Sequence, residues 1–272
     1  MNHITLYGIT FFSNAAVLVF EIAGVRFLAP FVGTSTEVWA GLIAVILGGL
    51  AIGYWLGGQL ASRYNSPQTL ATLLFFSAAT AFLMWLMRNA VPALVLSFLP
   101  NLPMTAYAVV AGTMLFAPAT IFLGAVSPCA VRLSIRDLGS AGSLIGRFSA
   151  VGAAGSIVGA VATGMFLIPS FGLSSLLLGV VVLLGFLALV AAGSPRSYIV
   201  IGTGLLIGLV WLAGEMQPAL PKPVIADIDT AYNRIWISEV YNKDNGLSTR
   251  YIRTDPFGIQ CTSIFDENGV RE

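Results

Sequence analysis

Charge is what this chain has least of. Of its 272 residues 57% are hydrophobic and only 9% are Asp, Glu, Lys or Arg, whereas soluble domains average about 25% charged residues. A water-soluble globular fold is excluded on that ground, and the mean hydropathy of +0.88 points the same way. Histidine is represented by His3 alone, at the N-terminus, which argues against a histidine metal site. The two cysteines, Cys129 and Cys261, fall in different blocks and form no disulfide framework. A net charge of +1 gives no reason to expect nucleic acid as a partner. The tail (residues 218–272) holds the only two lysines, Lys222 and Lys243.

What is present is long apolar runs. Seven of them, at about 4–30, 37–61, 68–87, 104–126, 143–168, 173–192 and 197–214, approach the ~20 residues that cross a ~30 Å hydrocarbon core. The first has neither a basic n-region nor a convincing small-residue cleavage site, so it reads as a retained span. Pro30 and Gly33 are expected to end it, and Arg63-Tyr64-Asn65-Ser66-Pro67 to turn the chain after the second. VPALVLSFLPNLP (91–103) is apolar but broken by three prolines and too short to cross, which makes it interfacial or re-entrant.

Charges divide the chain. Residues 1–217 carry seven Lys/Arg and four Asp/Glu, and residues 218–272 carry six and eight. The partition is therefore a transmembrane helical domain (1–217), a Pro-rich linker PALPKPV and its continuation (218–229), and a polar tail (230–272). In the tail RIWISEVY, STRYIRTD and GIQCTSIF alternate and are separated by NKDNG and DPFG turns, so a small three-stranded antiparallel meander is expected. Its edges would carry unpaired backbone groups, which calls for something packed on it: its own membrane block, a second copy or another protein chain. The fold class is an all-α polytopic membrane protein with a C-terminal β-meander.

Two features of the helical block stand out. Gly49, Gly53 and Gly57 recur every four residues, and Gly155 and Gly159 repeat the spacing in the fifth span. Small residues at this spacing let helix backbones approach closely in lipid, where no hydrophobic force drives association. Second, Glu21 and Arg26 lie within an apolar run, where a bare charge costs about 2.5–3.5 kcal/mol on insertion scales. They are five residues apart, about 140° around a helix, so each is expected to find its partner on another helix. Glu37 opens the second span and Arg147 the fifth, both near the interface. These four are the candidate binding residues, as a polar pocket or ion path; the alternative is a clamp that fixes helix register. No catalytic residue, cofactor or metal is indicated. With seven spans, Arg63, Arg132, Arg136 and Arg196 share the N-terminal side and Arg88 stands alone on the other, which places the N-terminus in the cytoplasm of a cell with this protein in its inner membrane.

GGQLASR (57–63) resembles the Gly-x-Leu-Ala-Asp-Arg turn of major facilitator transporters, with Ser62 where the acidic residue would stand. More broadly, VFEIAGVRFLAPFVGTSTEVWAGLIAVILGGLAIGYWLGGQLASR, SPCAVRL (127–133) and GRFSAVGAAGSIVGAVATGMFLIP (146–169) resemble the membrane block of proteins that fuse major-facilitator-like helices to a spermidine synthase (polyamine aminopropyltransferase) domain. TAYNRIWISE (230–239) and RYIRTDPFGIQCTSIF (250–265) resemble the small β-domain that opens the synthase half. The resemblance implies a membrane domain acting as anchor or subunit, with catalysis in a nucleotide-binding fold whose glycine-rich loop and amine-binding acids these 272 residues do not contain. The other readings are a transporter-like protein for a small solute, a cation among the candidates, and a non-catalytic structural subunit of a larger membrane assembly.

Overall fold

The computed structural model describes residues 1–33, 35–99, 101–135, 139, 141–193, 202–204, 206–209, 224–229, 234–241, 248–253 and 261–265. The helices are α1 (His3–Val32), α2 (Thr36–Arg63), α3 (Pro67–Met87), α4 (Ala90–Phe98), α5 (Met104–Ser134), α6 (Ala141–Ala162), a π-helical turn (Thr163–Leu167) and α7 (Ile168–Ala192). Five stretches are long and apolar enough to cross a bilayer: His3–Ala29, Thr36–Arg63, Pro67–Met87, Met104–Ser134 and Ala141–Ala192. Residues 202–204 and 206–209 are helical, and the rest of the expected seventh span lies outside the described residues.

Local chemistry sets the ends. Ser35 and Ser66 are N-caps whose hydroxyls accept from Val38 N and Thr69 N, and Pro67 follows at the first helical position. Gly33 (φ 77°) stops α1 and Gly193 (φ 63°) stops α7, both in backbone conformations open to glycine. Pro30 does not end α1, which continues to Val32. The 91–103 segment forms only the nine-residue α4, about 14 Å long at 1.5 Å per residue, and is tied to α5 by Tyr107 Oη donating to Pro92 O at 2.6 Å.

The helices alternate in direction. On α5 and α1 the Asn14–Ser127 bond and the Phe27–Phe116 ring contact run in opposite order, so these two are antiparallel. α2 runs parallel to α5, with Glu37 bonded to Thr105 near their starts and Cys129 to Gly57 near their ends. α3 runs against α5: Ser77 donates to Ala119 O at mid-helix, while Pro92 just past the end of α3 meets Tyr107 near the start of α5. Gln68 to Ala192 O and Trp85 to Ser174 make α7 antiparallel to α3. α6 is parallel to α1, because Phe11 faces Gly155 and Ala15 faces Gly159. Hence α6 and α7 oppose each other, and the 52-residue apolar stretch reverses within itself. A straight helix of that length would reach about 78 Å, far beyond a ~30 Å core. The break is Gly172, at φ 72° and ψ 167° inside α7.

Large apolar side chains ring the outside of the bundle, among them Trp55, Ile157, Met165, Phe171 and Phe186. In lipid such exposure carries no penalty.

Beyond the helices, β1 (Val224–Asp229), β2 (Arg234–Tyr241), β3 (Ser248–Arg253) and β4 (Cys261–Phe265) form one antiparallel sheet in chain order. β2, β3 and β4 are the expected meander. β1 is an addition: the second half of the segment read as linker pairs with β2, Asp229 opposite Arg234 and Ile228 opposite Ile235. Its Val224, Ile225 and Ile228 are β-branched, a signal overshadowed by the preceding prolines.

Candidate functional site

Two seams of glycine join helices of the bundle, one between α2 and α5 and one between α6 and α1. In the first, Gly49, Gly53 and Gly57 of α2 lie on Thr120, Ile121, Gly124 and Ala125 of α5; a β-carbon added at Gly57 would come 2.6 Å from Ala125 Cα. In the second, Gly152, Gly155 and Gly159 of α6 lie on Asn14, Phe11 and Ala15 of α1; a β-carbon at Gly159 would come 2.7 Å from Ala15 Cα. Helices approach this closely where at least one of them presents only a glycine hydrogen at the crossing. α1 lies between α6 and α5, with Gly24 against the Phe116 ring and Asn14 bonded to Ser127 on the α5 side.

A polar line runs along α1 on the side of α6. Thr10 Oγ1 donates to Leu6 O at 2.9 Å, and Asn14 Nδ2 donates to Thr10 O at 2.8 Å and reaches Ser127 Oγ on α5 at 3.3 Å. Two turns further on stands Glu21. Seven residues at 100° each bring it within about 20° of Asn14, so it continues the same face. Glu21 is partly buried, and no hydrogen bond or ion pair to its carboxylate occurs among the described residues. Arg26, also partly buried, has a partner of its own and lies on a different side of α1.

The other two charges stay apart from this line. Glu37 is exposed in the first turn of α2, where a carboxylate suits the helix dipole, and accepts from Thr105 Oγ1 at 3.2 Å. Arg147 is exposed in the second turn of α6. Since α2 runs against α6, the two occupy opposite ends of the bundle. Of the four charges, then, Glu21 and Arg26 share one helix, while Glu37 and Arg147 flank it from either end.

Reasoning from the sequence missed Asn14, Ser127 and the hydroxyl of Thr163, which continues the Gly155–Gly159 stripe by one more step of four. Thr163 is fully buried and opens the π-helical turn; its Oγ1 has no hydrogen-bond partner among the described residues. A signal was available for Asn14: it is the polar residue one heptad before Glu21, the spacing that shares a helix face.

Chemically, this face offers one carboxylate and several neutral oxygens, which can bind and orient a cation or polar solute. Among the described residues no group of three His, Cys, Asp or Glu could hold a metal. Cys129 is buried and its thiol lies 3.5 Å from Gly57 O, a seam contact. No family model, curated protein or solved structure matches this chain.

Proposed function

We propose that the chain is the membrane-embedded part of a spermidine synthase-like protein, an anchor that presents a small β-sheet to a catalytic partner. The supporting observation is the sheet itself. It has four strands in the order β1-β2-β3-β4, so among the described residues no further strand pairs with the outer edges of β1 and β4. Open edges of this kind invite a further strand or a covering chain. Across β2 and β3 the Glu239–Arg250 pair at 3.4 Å is exposed and contributes little to holding the sheet.

Six alternating helices followed by a seventh span that includes residues 202–209 would put the sheet on the face opposite the N-terminus. The arginine bias places that N-terminus in the cytoplasm of an inner-membrane protein. The biochemical test is an assay of the purified chain with decarboxylated S-adenosylmethionine and putrescine. Aminopropyl transfer needs a donor pocket and a placed carboxylate to take the proton, which the resemblance assigns to a further, nucleotide-binding domain. No product is expected from the chain alone, with turnover on co-expression with a nucleotide-binding partner domain. Product from the chain alone would overturn the reading.

A second reading, a transporter-like block for a small cationic solute, is favoured by Glu21. A carboxylate held partly buried in a membrane span, with no ion pair among the described residues, marks a solute or ion site by default.

A further inference from the structure

The heights of three features coincide. α6 runs parallel to α1 with Gly155 at Phe11 and Gly159 at Ala15. Four residues on, Thr163 therefore reaches the level of Val19, and the π turn Thr163–Leu167 spans the level of Val19 to Ala23. Glu21 falls within that interval, on the side of α1 that Asn14 turns toward α6. At one height and on one side of α1, the bundle thus brings together a carboxylate and a fully buried hydroxyl, neither with a hydrogen-bond or ion-pair partner among the described residues, and a π turn. Each is costly by itself in a membrane interior. The carboxylate loses its hydration, the hydroxyl forfeits a hydrogen bond, and the π turn replaces α-helical bonding with a wider register. π turns of this kind recur where helices build ligand sites.

The geometry points to a binding niche for a small monovalent cation between α1 and α6, with Glu21 and Thr163 as oxygen ligands. The ligand class follows from the donors. Hard oxygens suit an alkali ion or an ammonium group. One carboxylate balances a single positive charge, whereas calcium takes six to eight oxygens and magnesium a strict octahedron. This rests on the second reading above, a block that handles a cationic solute, but concerns binding and not translocation.

The test uses the full chain in detergent. Thermal unfolding is followed in choline chloride, then on titration with sodium, potassium, ammonium or ethylammonium chloride at constant ionic strength. A saturable rise in Tm with at least one of these cations is expected, and the responding cation tells an alkali-metal site from an ammonium site. Thr163→Val, close in shape, should weaken the apparent affinity about tenfold by removing one ligand. Glu21→Gln should abolish the response, and Glu21→Asp should restore part of it. Should Glu21→Gln fail to fold, Thr163→Val carries the decision. Identical Tm in all five salts, or an unchanged titration in Thr163→Val, would overturn the proposal. Uptake of the responding cation into proteoliposomes is measured separately: binding without uptake removes the transporter reading and leaves the niche.

Discussion

Gly53→Leu is expected to unseat α2 from α5 and lower Tm by roughly 6–12 °C, the equivalent of about 3 kcal/mol for a domain of this size. At Gly53 an added β-carbon runs into Ile121 O and comes 2.9 Å from Gly124 Cα. The opposing residue offers no relief: a β-carbon on Gly124 would lie 2.7 Å from Leu50 O and 3.1 Å from Gly53 Cα. Backbone faces backbone, so there is no flexible side chain to swing aside, and the penalty belongs at the upper end of the overpacking range. Gly159→Leu repeats the experiment at the second seam, against Ala15. The controls are built into the same helices. Gly48 and Gly58 on α2, and Gly146 and Gly164 beside the α6 seam, have nothing within 4 Å of an added β-carbon. Alanine at those sites should leave Tm unchanged or raise it, since alanine is the better helix former. Wild-type melting of both Gly53→Leu and Gly159→Leu in detergent would refute the seams.

Gly172→Val is the second large effect. At φ 72° and ψ 167° the residue occupies backbone space that is essentially reserved for glycine. A side chain there costs of order 1–3 kcal/mol, and a β-branched one sits at the high end. The alternative conformation for valine is helical, which would fuse α6 and α7 into a rod too long for the bilayer. The variant should therefore lose both stability and the reversal. Monodisperse protein with an unchanged melt would show that the turn does not depend on Gly172.

What could be read ahead of the structure was whatever is local. The four-residue spacing of Gly49, Gly53 and Gly57 is visible in one helix, and the prolines of 91–103 show that the segment cannot span. The partners were not visible, because Gly53 meets Gly124 and Asn14 meets Ser127 across more than seventy residues of chain. β1 was hidden by its setting, a short β-branched run beside prolines. Pro30 misled in the opposite direction: proline near a helix end ordinarily stops it, yet here α1 runs to Val32 and Gly33 makes the stop. Of the candidate site, Glu21 was legible from its charge alone. That Glu37 and Arg147 stand at opposite ends of the bundle follows only from helix directions.

The alternation of helices is the claim on which seams, niche and sheet placement all rest, and topology mapping tests it most directly. Paired reporters, one active only in the cytoplasm and one only outside it, are fused after Ser66, Phe171 and Gly193. Ser66 and Gly193 should report the same side as each other, the cytoplasm by the arginine bias, and Phe171 the other side. A Gly193 fusion on the side opposite Ser66 would mean that Ala141–Ala192 crosses the membrane once, and would contradict the account.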